Sequence, residues 1–177
     1  SADSYTELMF AKNPNNVPRD GADQIIFVVA GSEMPGKCGR AFLDCGRPEI
    51  NTPAALESCM TAVVNLSCFY RHSFKHEIGH LYGLDHDAGY TYGTARFTDA
   101  HGYVDIINPG LYWDYGQSTI MSYEGIRTGV YSQNGKTYNG VPIGSPTANN
   151  LRVFMQGALE IQQKRQQFAP TVPSVPT

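Results

Sequence analysis

His76-Glu77-Ile78-Gly79-His80-Leu81-Tyr82-Gly83-Leu84-Asp85-His86-Asp87 gathers three of the five histidines of a 177-residue chain into one short stretch. Ser73 is a candidate N-cap for a helix that runs through Phe74, Ile78, Leu81 and Tyr82 and stops at Gly83. On such a helix His76 and His80 stand one turn apart on one face, so both imidazoles reach a single ion. Glu77 projects about 100° away around the axis, which suits a carboxylate that meets a water rather than one that ligates the metal. Gly83, lacking a Cβ, can take the positive φ that ends the helix and brings His86 round as a third ligand. Three neutral imidazoles leave the fourth position of a zinc ion open, the mark of a catalytic rather than a structural site. Zinc acidifies water there, and Glu77 is the candidate general base. A bare HExxH arises by accident in roughly one chain in a few hundred of this length. With Gly83 and His86 added, accident falls to the order of one in 100,000. His72 and His101 share no such spacing and read as structural or exposed.

Outward from this stretch, the length suits one domain with a single hydrophobic centre. Hydrophobic residues are 41% and charged residues 16%, with 18 Gly, 11 Pro and 11 Tyr, which describes a globular chain rich in turns. The net charge is -3 and the basic residues are scattered, which argues against a nucleic-acid partner. No apolar run reaches the roughly 18 residues of a membrane span. The N-terminus lacks the basic and apolar regions of a signal peptide, so the chain reads as a mature or trimmed product.

Gln24 to Val29 reads as a buried strand, Arg40 to Leu43 as a short one, and Met60 to Phe69 as a third whose period is imperfect. Pro53 to Ser58 forms a short helix from Thr52, and residues 85 to 115 read as loops. A last amphipathic helix runs from Thr147 or Ala148 to Phe168, with Leu151, Phe154, Met155, Ala158, Leu159 and Ile161 on or near its apolar stripe. Residues 169–177 form a proline-rich tail. Cys38, Cys45, Cys59 and Cys68 suit two disulfides in an oxidising, extracellular compartment, with three connectivities open. A four-thiolate zinc site is the competing reading, disfavoured by spacings unlike those of zinc knuckles. Asn65-Leu66-Ser67 is a glycosylation sequon, without meaning in a bacterial protein.

HExxHxxGxxH is the zinc-binding consensus of the metzincin peptidases, and the chain resembles that clan over most of its length. Ser118-Thr119-Ile120-Met121-Ser122-Tyr123 is similar to the metzincin methionine turn, which makes Met121 an apolar floor under the histidines. Asp87 marks the reprolysin, or adamalysin, branch. Asp23 to Ala30, Cys38-Gly39, Ser67-Cys68, Ser73-Phe74, His101 to Tyr103, Tyr138 to Pro142 and Ala148 to Arg152 resemble landmarks of bacterial reprolysin-like secreted proteases, a neighbourhood that includes the peptidyl-Asp metallopeptidases. The resemblance implies a Cys38–Cys68 pairing, leaving a nested bridge between Cys45 and Cys59. Tyr123 departs toward the astacins and serralysins, where that tyrosine binds or approaches the metal. It is a candidate donor to a tetrahedral oxyanion, against a purely structural phenol. Few residues precede His76 for a metzincin, so a first strand or helix is expected to be either shortened or lost by processing.

What the resemblance implies is an α/β (α+β) catalytic unit over residues 1–168, with a twisted mixed sheet and the active-site helix in an upper part of about 1–83. The lower part, about 84–168, is irregular and closed by the C-terminal helix. A secreted, monomeric zinc endopeptidase follows, its peptide substrate paired to a sheet edge expected within Met60 to Phe69. The pocket for the residue after the cut would be bounded by Ser122 to Gln133, where Arg127 is a candidate for favouring an acidic side chain, against a solvated loop residue. Asp99, Asp105 and Asp114 are candidate calcium ligands at a spacing that matches no loop motif. Two other readings stand: a catalytically silent zinc-binding recognition or adhesion module on the same scaffold, and a cytosolic peptidase with four free thiols.

Overall fold

The computed structural model describes residues 24–87, 95–106 and 115–169. The polar opening, the stretches 88–94 and 107–114 with Asp114, and the tail from Pro170 lie outside the described residues.

The β-branched run Ile25–Val29 forms β1, and Thr61–Asn65 forms β3, paired with it in parallel from Ile25↔Thr61 to Val29↔Asn65. Between them the chain makes β2, Gly39–Ala41, and a helix, α1, Pro53–Cys59. Thr52 caps α1, its Oγ1 accepting from the Ala55 amide at 3.1 Å, a bond of the kind that stabilises a helix by about 1 kcal/mol. β2 pairs antiparallel with the other side of β3, Gly39↔Val64 to Ala41↔Ala62, so the order is β1-β3-β2. Residues 61–65 are therefore the centre of the sheet, and the edge expected within Met60 to Phe69 is β2 instead. Burial at every position of β3 is what erased its alternation.

Asn65 ends β3 and orders the next turn. Its Oδ1 accepts from the Ser67 amide at 2.9 Å, and its Nδ2 donates to the carbonyls of Met34 and Lys37 at 3.2 and 3.0 Å. The sequon nitrogen is thus buried and doubly bonded. A 3-10 helix, Leu66–Arg71, leads to α2, Ser73–Leu81. The cap position belongs to His72, at φ 59°, rather than to Ser73, whose hydroxyl donates to the Cys68 carbonyl at 3.0 Å. Disulfides join Cys38 to Cys68 and Cys45 to Cys59, which leaves no free cysteine and removes the four-thiolate reading.

Two further strands fall in or against the stretch expected as loops: β4, Val104–Ile106, is antiparallel to β5, Tyr115–Ser118. β6, Ile126–Arg127, runs parallel to β5. Strands of two to four residues carry too little periodicity to read. β7, Thr137–Tyr138, and β8, Val141–Pro142, form a hairpin about Asn139-Gly140, both at positive φ. The last helix, α3, spans Asn150–Phe168 and buries Asn150, Val153, Gly157 and Ile161. Leu151, Met155 and Leu159, expected on the apolar stripe, are exposed. The seam contains an Asn and a Gly, which carry no hydrophobic signal, so the stripe read from sequence is rotated.

The expected single centre is divided. One cluster packs Cys45, Leu56, Cys59, Met60, Ala62, Leu81 and Ile161; a second packs Leu84, Ala100, Ile120, Met121 and Val153; a smaller third holds Val29, Met34 and Val63. Leu81 and Leu84 enter different clusters because the chain reverses between them at Gly83, φ +93°. α3 reaches both, through Ile161 and Val153. Among the described residues no helix is long and apolar enough to cross a membrane.

Candidate metal centre and cleft

α2 ends in a Schellman reversal. The Leu84 amide donates to the Gly79 carbonyl at 3.1 Å and the Gly83 amide to that of His80 at 3.0 Å, the pattern that a left-handed glycine permits. The Asp44 and Cys45 amides donate to the carbonyls of His80 and Leu81 at 2.8 and 2.9 Å, so the loop after β2 holds the same helix end. The reversal delivers the Leu84 carbonyl to His80 Nδ1 at 2.8 Å and swings His86 back over the helix.

His76, His80 and His86 converge as their spacing predicts. His86 Nε2 lies 3.0 Å from His76 Nε2 and 3.1 Å from His80 Nε2, and the three residues form one group able to hold a metal ion. Backbone carbonyls orient two of the rings: Ile120 faces His76 Nδ1 at 2.9 Å, and Leu84 faces His80 Nδ1. With each Nδ1 donating its hydrogen, the Nε2 lone pairs of both rings point inward. Such lone pairs crowded to about 3 Å repel unless a cation sits among them. Burial, and then His80, hold His76 well below the usual imidazole range; burial also lowers His80. Both are kept neutral, the form that ligates.

The third histidine is fixed through its backbone. The His86 amide donates to Asp85 Oδ1 at 2.8 Å, and His101 Nδ1 donates to the His86 carbonyl at 2.9 Å. Sequence reading left His101 as structural or exposed. Only its distance in sequence concealed this contact.

Met121 is fully buried beside α2; a Cβ on Gly79 would come 2.8 Å from its sulfur. The turn thus touches the helix at Gly79 while its Ile120 carbonyl orients His76. Tyr123, 44% exposed, lays its ring against His86 with centroids 4.2 Å apart and tilts toward His76 at 5.9 Å. Asp87 is buried, and burial, reinforced by Glu124, lifts its carboxyl to about 6 while the Tyr123 amide pulls it back.

A cleft of about 420 Å³ opens over the histidines, lined by all three, Glu77, Tyr123, Asp85 and the β2 segment with Lys37, Gly39 and Arg40. Glu77 is buried in its wall, and burial lifts its carboxyl to about 8 against the opposing pull of Arg127 and Arg40. Arg127 does not line this cleft. Its Nε donates to the Ser122 carbonyl at 2.9 Å and one terminal nitrogen to that of Arg71 at 2.8 Å, so it braces two segments. The cleft cations are Lys37 and Arg40, which sequence reading passed over because β2 is only three residues long. Asp99 gives both carboxylate oxygens to Arg152, which weakens the calcium reading; among the described residues only the three histidines form a metal-binding group.

Comparison with known proteins adds three curated relatives. The peptidyl-Asp metalloendopeptidase of Xanthomonas campestris pv. campestris is 41% identical over 91 residues, 48% of this chain and 19% of that protein. Proteins of the same name from Stenotrophomonas maltophilia strains K279a and R551-3 are each 36% identical over 89 residues, 48% of this chain and 20% of the relative. The matched stretch therefore covers about a fifth of each relative's length. No family model matches, and no solved structure matches. The relatives' name and the three-histidine group together support a metallopeptidase.

Proposed function

We propose that this chain carries the catalytic site of a secreted, metzincin-type zinc endopeptidase, with His76, His80 and His86 as ligands and Glu77 as general base. The observation that carries the reading is the convergence of three inward-facing Nε2 atoms beside a buried carboxylate in an open cleft. Tetrahedral zinc at about 2.0–2.1 Å from each nitrogen sets them roughly 3.3 Å apart, close to the separations found. Zinc held there would supply Lewis-acid polarisation of a scissile carbonyl and acidify an attacking water.

The chain's own residues supply the rest. Glu77 takes the proton of the water as its oxygen attacks the carbonyl carbon, then delivers it to the amine nitrogen as the C–N bond breaks. A carboxyl lifted to about 8 is largely protonated at neutral pH and acts as a base only once ionised; a dication held by the histidines would favour that charged form. Tyr123, against the His86 ring, is placed to donate to the developing oxyanion. Among the described residues β2 lies at an edge of the sheet, the position from which main-chain pairing to an extended peptide would come. Lys37 and Arg40 on the cleft wall favour an acidic side chain beside the bond that is cut, in keeping with the aspartate in the relatives' name.

The test is cleavage of casein and of a quenched peptide library, with sequencing of the products. Activity should vanish with a chelator and return with zinc. Glu77→Ala should retain one zinc per chain and lose at least about 100-fold in kcat, the contribution expected of a general base. Zinc retention without cleavage by the unaltered chain would favour the silent recognition module, and cleavage that survives Glu77→Ala would sink the mechanism.

A further inference from the structure

Gly39, the first residue of the edge strand, faces the candidate base across the cleft wall. A Cβ placed on it would lie 2.5 Å from both Cγ and Oε1 of Glu77 and 2.7 Å from Cδ. Those separations are far inside van der Waals contact. Its backbone does not ask for glycine, since Gly39 is absent from the residues at positive φ. Gly36, Gly135 and Gly140 show the opposite case, with positive φ and open space where a Cβ would go. At position 39 the requirement is room alone, and the group that fills the room is the Glu77 side chain.

We propose that Gly39 is a positioning residue for Glu77, a notch in the edge strand that lets the carboxylate lie against β2 at the rim of the histidine cluster. The inference rests on Glu77 being the base. β2 is held in register on β3, with Gly39 opposite Val64, and the loop that follows it is bonded through the Asp44 and Cys45 amides to the end of α2. Neither backbone can retreat from a methyl group, so the side chain of Glu77 must turn. Because β2 is also an edge of the sheet among the described residues, one strand would both pair the peptide and fix where the base stands beneath it. Arg40, next along β2, reaches the same cleft, so strand alternation gives one position to the base and its neighbour to the substrate side.

The experiment is Gly39→Ala made in the Glu77 chain and in the Glu77→Ala chain, with zinc content, Tm and steady-state kinetics on a quenched peptide. In the Glu77 chain kcat should fall at least about 10-fold while KM stays within about 3-fold and one zinc per chain is kept, the pattern of a displaced catalytic group. The same substitution should lower Tm by several degrees with Glu77 present and by less than about one degree with Glu77→Ala, where the notch is empty. An unchanged kcat, or an equal Tm loss in both backgrounds, overturns the proposal. If Gly39→Ala alone fails to fold, folding of the double variant sustains the proposal and its failure overturns it. Should the unaltered chain cleave no peptide, the chemical reading falls, while the two Tm differences still decide whether Gly39 makes room for Glu77.

Discussion

His101 shows how a residue without chemistry of its own can govern the centre. Its Nδ1 donates to the His86 carbonyl, and Asp85 accepts from the His86 amide, so both neighbours hold the third histidine's backbone. Partners bonded directly to a ligand ring tune metal affinity by roughly 10–100-fold, and a bond that fixes the ligand's backbone belongs at the low end of that range. His101→Ala should therefore weaken zinc binding about 10-fold in competition with a chromophoric chelator, and His101→Asn, whose amide can donate to the same carbonyl, should recover much of the loss. Unchanged affinity in His101→Ala would remove His101 from the site. At this scale sequence showed what spacing controls: His76 and His80 on one helix face, Gly83 as the reversal, His86 beyond it. It did not show the roles of Ile120, Asp85, His101, Lys37 or Gly39, because they act on backbone carbonyls and amides, by lining the cleft or by leaving empty space, none of which spacing announces.

Among the elements, α3 is where residue type misled most. Helix propensity favours replacing Gly157, since alanine is better in a helix interior by about 1 kcal/mol. The packing says otherwise: a Cβ at 157 would meet the Tyr82 carbonyl oxygen at 2.2 Å, where α3 crosses the end of α2. Overpacking of this kind costs about 1–3 kcal/mol, so Gly157→Ala should lower Tm by several degrees rather than raise it. Met155→Ala, on the exposed face, should stay within about 0.5 kcal/mol. A stabilised Gly157→Ala would mean that the two helices can part without loss. The same logic explains what was and was not legible in the fold. β1 and α1 announced themselves through a β-branched run and a Thr-Pro start, whereas β3 hid its place in the sheet because it is buried on both faces.

At the scale of the whole molecule, ion pairs and disulfides tie α3 and the cysteine loop around the three-histidine group. Arg96 joins Asp44, in the loop that holds the end of α2, to Glu160 on α3, and Arg152 on α3 joins Asp99, just before His101. The two disulfides suit an extracellular protein, where the metal site would meet changing pH. Hydrogen bonds from Arg152 hold the Asp99 carboxyl below its usual range. Burial pushes Glu160 up, but Arg96 and Gln156 outweigh it and the net shift is also downward. A carboxyl depressed in the folded state contributes fully above its unfolded value, about 3.9 for Asp and 4.3 for Glu, and loses that contribution as pH falls through the folded value. Arg152 is about half exposed, at 47%, so its pair is worth under about 1 kcal/mol after screening. Burial lowers His76 and His80 as well, so other groups contribute to the pH dependence and the difference between Arg152→Gln and the unaltered chain is the informative quantity. In urea denaturation of zinc-free protein, that difference should hold constant from pH 8 to 5 and shrink as pH falls through 4. A difference that stays constant through pH 4 and below would show that Arg152 stabilises the chain through packing on Phe97 rather than through the Asp99 carboxylate.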